Sequence, residues 1–480
     1  MRRRSSRNWV SAFIALVAIV AVAAVFVSQV ISYSRVWQNL PPGLTIGGMP
    51  AGGKDSDSVR SQILTTFGQP LELRYADHSV TLDPADIGIA IDVDGALAAA
   101  EEVRNETSWW EGFVDYILDR PDPTAAVPLP ITYSLEQLNT FLAGVAIRFD
   151  APALAPEPQI DTLTFTPGST GRALDAAASL PLIDAALRSA TGRTVALVVR
   201  ERAIPRASAE GLSRMVTARL ARFDGVAGVA LVNLQTGEEL CANCDVAFSG
   251  MGLLKVPVAV EAFREFMAPL DPAVERLLTQ TLTLGGNASA NMLLATLGSG
   301  DPAGGLARVN DGLTALGLQN TFLAVPYDEP AGSVYVATPA NSRRDFNTEP
   351  DPARQTTPQD LSLLLRGIYD CRQGGGALLA AWPGDLGPEE CGQLLDTMSL
   401  ALPSELLAAG MPAPARVAQQ SGWDGTTLGA SAVVFTPGGD YVLVVFLWRP
   451  EWLEWQDGAT VITDVGRAMY NYFNIDAQVR

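Results

Sequence analysis

Between Trp9 and Tyr33 no side chain is charged, and Val10 to Val27 consists almost entirely of Val, Ala, Ile, Leu and Phe. At about 1.5 Å per residue, a helix over this run is long enough to cross the apolar core of a bilayer. Beyond Pro41-Pro42-Gly43 the pattern changes to short apolar stretches broken by turn residues. Two of these stretches echo each other: Thr81 to Asp92 and Thr164 to Asp175 share Thr-x-x-Pro-x-x-x-Gly-x-Ala-[Ile/Leu]-Asp. Each predicts a Pro/Gly turn and a strand, then an Asp that caps an Ala/Leu-rich helix, Val93 to Val103 in the first copy and Ala176 to Ala190 in the second. Two small α+β repeats are therefore expected, over residues 40–124 and 125–204. The second closes on the β-rich run Thr194 to Val199. Trp109, Trp110, Phe113 and Ile117, between the copies, are expected to pack against the neighbouring unit rather than form a recognition surface.

After a short linker, Ala203 to Ala209, a third unit is expected over residues 210–475. It opens with a helix, Leu212 to Phe223, and a hairpin turning at Gln235-Thr236-Gly237. A mainly helical middle follows. A second hairpin turns at Pro437-Gly438-Gly439 between Ala430–Phe435 and Tyr441–Leu447, and an amphipathic helix, Ala459 to Phe473, closes the unit. This order describes an α/β sandwich with a split sheet.

Charge refines the picture. The chain has 33 basic and 52 acidic residues, a net charge of −19, which argues against nucleic acid as a partner. Arg2, Arg3, Arg4 and Arg7 precede the apolar run, so a single-pass span over residues 1–36 would keep the N-terminus cytoplasmic and export the remainder. A cleaved signal peptide is the competing reading, on Ala21-Val22-Ala23, but the apolar run continues past it. The four cysteines, Cys241, Cys244, Cys371 and Cys391, lie in the exported part, where disulfides persist. Three pairings are possible, and proximity favours Cys241 with Cys244 and Cys371 with Cys391. A zinc site is disfavoured because the one histidine, His78, is remote in sequence. No metal or cofactor is expected.

Only two of the basic residues are lysines, and one of them, Lys255, opens the apolar run Val256 to Val260. A lysine there can serve a nucleophile three residues earlier, on the same helix face. That earlier residue is Gly252. Residues 210–475 resemble the class A β-lactamase and penicillin-recognising serine hydrolase family, with a β-lactamase-like (DD-peptidase) sandwich as the implied fold. Its Ser-x-x-Lys motif falls on Gly252-Leu253-Leu254-Lys255, its Ser-Asp-Asn on Gly285-Gly286-Asn287, and its Lys-Thr/Ser-Gly on Gln420-Ser421-Gly422. Nucleophile, proton shuttle and cleft cation are missing together, which argues against an acyl-enzyme.

Asn287 is expected to pair with Lys255, which would satisfy a partly buried ammonium. Ser249, six residues before Lys255, is on the wrong face to replace the nucleophile and reads as a helix N-cap. Thr356-Thr357-Pro358 matches the family's helix start. Glu349, upstream of it, reads as a solvated loop carboxylate rather than a water-activating base.

Residues 40–204 resemble the tandem peptidoglycan-binding-like modules that precede VanW-type domains, on Gly43 to Met49, Leu71 to Tyr75 and Leu82 to Gly88; the resemblance implies glycan binding, and a plain spacer that holds the next domain off the membrane is an equal alternative. The expectation is a wall-facing, membrane-anchored protein that binds peptidoglycan, a peptide or a protein, with a groove between Lys255, Asn287 and the Ser421 strand as one binding place. The alternative is an active serine hydrolase acting on β-lactams or peptidoglycan peptides. The sequence leaves oligomeric state open.

Overall fold

The computed structural model describes residues 7–120, 124–402, 405–413 and 415–480. Arg2, Arg3 and Arg4, which carry the topology argument, lie outside them. The chain forms two compact units, residues 1–153 with 170–204, and residues 154–169 with 205–480.

In the first unit the apolar run is one helix, Arg7–Trp37. It is long and apolar enough to cross a membrane. Both repeat copies build the local structure their sequences predict. Asp92 caps Val93–Asn105 by accepting from Gly95 N, and Asp175 caps Ala176–Leu187 by accepting from Ala178 N.

The copies do not close on themselves. Leu44–Ile46 runs parallel to Ala125–Val127, and Leu71–Tyr75 lies between His78–Leu82 and Thr194–Ala196. Accordingly one core joins Ile46, Ile63 and Leu97 to Val127 and Ile131. A second joins Leu73, Tyr75 and Leu82 to Leu142, Ile183 and Val195. The expected boundary at residues 124 and 125 therefore falls inside a shared fold. Strands of three to five residues bury too little alone and recruit partners from the other copy.

The second unit is built on a five-stranded antiparallel sheet in the spatial order Glu239–Ala242, Val226–Asn233, Tyr441–Trp448, Thr427–Phe435, Arg416–Trp423. Two strands come from before the helical segment and three from after it, which is the split sheet expected. The central strand Tyr441–Trp448 is buried along its whole length, as a strand covered on both faces must be. Ala209–Leu220 and Trp455–Phe473 cover one face through a core that includes Met215, Leu443 and Ile462. Lys255–Phe266, Asn287–Leu297 and Pro358–Arg372 supply the core on the other face, with Val258, Leu293 and Leu365.

The hairpin Glu157–Gln159/Thr164–Thr166, expected in the second repeat, belongs to this unit instead. Its Leu163 and Phe165 join the core under the C-terminal helix. Asn471 Nδ2 donates to Leu163 O at 2.7 Å, and Gln478 Nε2 to Phe165 O at 2.8 Å. The disulfides are Cys241–Cys244 and Cys371–Cys391, the pairing favoured on proximity.

Candidate functional site

Lys255 begins the helix Lys255–Phe266, directly after a 3₁₀ turn over Met251–Leu254 that contains Gly252. In such a turn residues three apart are eclipsed, so Gly252 and Lys255 share a side as expected. Ser249 does not cap this turn. It ends a two-residue strand paired with Gln355, is buried, and its Oγ accepts from Asp351 N at 3.0 Å. Gly250 precedes the turn without a side-chain cap bond. Strand pairing captured the serine before a helix could, so the N-cap expectation fails.

The Lys255 side chain is buried and its donors are directed. Nζ donates to Gly285 O and to Asn287 Oδ1, each at 2.7 Å, and stands 4.9 Å from the centroid of the Tyr327 ring. Asn287 begins the helix Asn287–Leu297. It passes the network on, donating from Nδ2 to Asp328 Oδ1 at 2.7 Å. One helical turn later Asn291 holds the Tyr327 backbone with two 2.8 Å bonds, Nδ2 to Tyr327 O and Tyr327 N to Oδ1. Arg354 Nη1 donates to Pro326 O at 2.8 Å from the other side.

Burial pulls the Lys255 ammonium down to about 8, with the Asp328 carboxylate opposing. Two neutral oxygens and a ring face nevertheless satisfy the charged form. Tyr327, also buried, has its phenol pushed well above the usual range by burial. Tyr327 and Asp328 escaped the sequence reading because they sit in an irregular loop that carries no periodic or motif signal.

Lys255→Met is therefore expected to cost about 1–3 kcal/mol, because it keeps side-chain volume but leaves Gly285 O and Asn287 Oδ1 without their donor. Urea unfolding of the full chain reads this. A midpoint equal to wild type would show that the ammonium holds nothing together.

The third motif lies on the sheet edge, where Gln420 pairs with Ser431, Ser421 with Ala430 and Gly422 with Gly429. Gln420 is buried, and its Oε1 finds no hydrogen-bond partner among the described residues; the neighbouring Ser431 Oγ is in the same state. A neutral amide thus stands where the family resemblance places a cation.

The decisive contact is between this strand and the 3₁₀ turn. A Cβ placed on Gly252 falls 2.3 Å from Ser421 O, and one placed on Gly422 falls 2.6 Å from Gly252 N. Ordinary contact between such atoms needs about 3.5 Å. The two backbones approach closely, so no side chain fits at Gly252 on the edge of the place expected to bind between Lys255, Asn287 and the Ser421 strand. Two facing glycines make that approach possible. Among the other expected positions, Gly285 adopts φ +65° and supplies its carbonyl to Lys255. Thr357 caps the helix Pro358–Arg372 by accepting from Asp360 N, and Glu349 is exposed on its loop.

Residues 265–473 match the model of the Beta-lactamase enzyme family, and residues 80–196 match a Putative peptidoglycan binding domain. The first match starts after Lys255, so the register of Gly252 and Lys255 rests on the bonds to Gly285 and Asn287. No curated protein matches. Among solved structures, one titled PBP-A is 23% identical, covering 56% of this chain and 98% of its own, with a TM-score of 0.44. An ancestral class A β-lactamase is 25% identical over 54% of this chain and 98% of its own, TM-score 0.42. A β-lactamase from Sphaerobacter thermophilus is 19% identical over 57% and 100%, TM-score 0.43. Towards its C-terminal end the chain thus carries a segment similar to the Beta-lactamase enzyme family, preceded by a segment similar to a putative peptidoglycan-binding domain.

Proposed function

We propose, with that pair of domains as premise, that this is a membrane-anchored, wall-facing protein that associates with peptidoglycan and whose β-lactamase-like domain forms no acyl-enzyme. The observation that carries the second half is the Gly252–Ser421 contact. Acylation needs an attacking oxygen, a proton acceptor and space for a tetrahedral carbon. At position 252 there is no side chain, and the place a Cβ would take lies 2.3 Å from a backbone carbonyl oxygen. Lys255, the surviving motif base, is committed to Gly285 and Asn287. The peptidoglycan match over residues 80–196 supports the wall as what the chain holds.

The anchor reading rests on the apolar helix Arg7–Trp37 and on the arginines before it. Two disulfides agree with an oxidising, extracytoplasmic location for the second unit. In detergent, the full chain is expected to give no covalent band with fluorescent penicillin and to sediment with purified peptidoglycan. A band that disappears on changing one serine would restore the hydrolase. Failure to sediment above an unrelated protein of similar charge would remove the wall-binding half.

A further inference from the structure

The N-terminal helix does not leave the first unit as a bare stalk. The helix Trp109–Ile117 lies against its upper half. Phe113 meets Phe26 edge-on at 5.7 Å between ring centroids, and Tyr33 is enclosed by Trp37, Trp109, Phe113 and Tyr116, all within 5.8 Å. Gly112 completes the seat: a Cβ there would lie 2.0 Å from the Tyr33 hydroxyl. Trp109, Phe113 and Tyr116, spaced i, i+4, i+7, thus form one stripe that faces the N-terminal helix. This corrects the expectation that the segment packs against the neighbouring unit.

A second stripe, Trp110, Val114, Ile117 and Leu118, is apolar and has no cover among the described residues: these side chains are 63, 48, 49 and 55% exposed. Ser108 and Glu111 form a capping box that fixes where the helix starts, and Arg120 pairs with Asp115 just past its end. Such a short, strongly two-sided helix is well defined, yet it turns large apolar side chains outward.

Depth decides what covers them. Counting about 20 residues from Val10 for the apolar core of a bilayer puts its outer boundary near Ser28 and Gln29. Phe26 is below that boundary and Tyr33 above it, and Phe113 touches both. We infer that the helix Trp109–Ile117 is embedded in the outer interface of the bilayer, with the Trp110, Val114, Ile117 and Leu118 stripe in lipid. The inference rests on the reading of Arg7–Trp37 as a membrane span. Trp and Tyr prefer this interfacial level. The helix's own acids, Glu111 and Asp115, predict that anionic lipid is not required, which separates this surface from a basic lipid-binding patch.

The helix therefore fixes how the first unit stands on the membrane, a role a plain tether lacks. The test uses the full chain in phosphatidylcholine vesicles, with one introduced cysteine carrying an environment-sensitive fluorophore. The four native cysteines are disulfide-bonded and leave that label site-specific. Val114→Cys reports the outward stripe, Ile14→Cys the apolar span towards its inner end, and Glu101→Cys, exposed on Val93–Asn105, reports water.

With nitroxide on the lipid tails, the Val114 and Ile14 labels are expected to be quenched and shielded from aqueous iodide, and the Glu101 label to show the reverse. Adding phosphatidylglycerol should leave this unchanged. An Ile14 label in lipid with a Val114 label open to iodide overturns the inference and leaves the anchor standing. A Val114 label shielded from both quenchers overturns it too, by showing a protein surface over the stripe. An Ile14 label outside lipid sinks the anchor and the inference with it. Circular dichroism of each labelled chain establishes that the fold is kept.

Discussion

Gly252→Ser is expected to lose stability and gain no chemistry. Its Cβ would sit 2.3 Å from Ser421 O, roughly 1 Å inside contact distance, and the atom in the way belongs to sheet backbone and cannot swing aside. Overpacking of this kind costs about 1–3 kcal/mol. Gly252→Ala should cost the same, since the clash begins at Cβ, and this comparison separates steric closure from any effect of the hydroxyl. The readouts are the urea midpoint and fluorescent-penicillin labelling of the full chain. A serine variant of wild-type stability that labels would mean that the edge strand Arg416–Trp423 opens freely, and the inert-domain reading would fall.

Glu261→Gln is expected to do the opposite and stabilise the protein, by an amount that grows as pH rises from about 4.5 and is complete above about 7. Glu261 lies on the Lys255 helix, 3% exposed, with its carboxylate 2.8 Å from Arg264 Nη2. It is also tight against Gly312, where a Cβ would fall 2.1 Å from Oε1. Arg264 in turn stands over the Trp382 ring. Burial pushes the carboxyl up to about 7, with Arg264 and Arg308 opposing and the acids Glu265 and Asp311 adding to the rise.

A carboxyl whose pKa is higher folded than unfolded binds its proton more tightly in the native state. Its contribution is complete below about 4.5 and is lost as pH rises through about 7. A neutral glutamine avoids that loss. The variant should match wild type near pH 4.5 and exceed it at pH 8 by on the order of 2–3 kcal/mol. Urea midpoints at the two pH values read the difference. An offset equal at both would show that ionisation of this group is not what changes.

Much of the local structure was legible without coordinates. The apolar run from Trp9 to Tyr33 is a helix, the two repeated aspartates cap helices, and the hairpins of the large sheet turn at Gln235-Thr236-Gly237 and at Pro437-Gly438-Gly439 as expected. The bond between Lys255 and Asn287 could be anticipated because a buried ammonium needs acceptors, and the motif order offered one. Other features were hidden. Ser249 has the composition of a cap and is a strand end, because Gln355 and Asp351 reach it from a hundred residues away. The hairpin at residues 157–166 reads as part of a repeat and packs under the C-terminal helix.

The sequence alone determined where most chain segments become helix, strand or turn, and favoured by proximity the cysteine pairing that forms. These are decided by period, capping and side-chain identity, within a few residues of each position. Tertiary structure alone decided that strands of the two repeats interlock, that Tyr327 and Asp328 complete the surroundings of Lys255, and that Gly252 meets the backbone of Ser421. The physical reason is that such contacts join residues far apart in the chain through close packing of a helix layer on a sheet. A glycine in the sequence leaves room for an approaching backbone, and only the packed fold shows which backbone takes it.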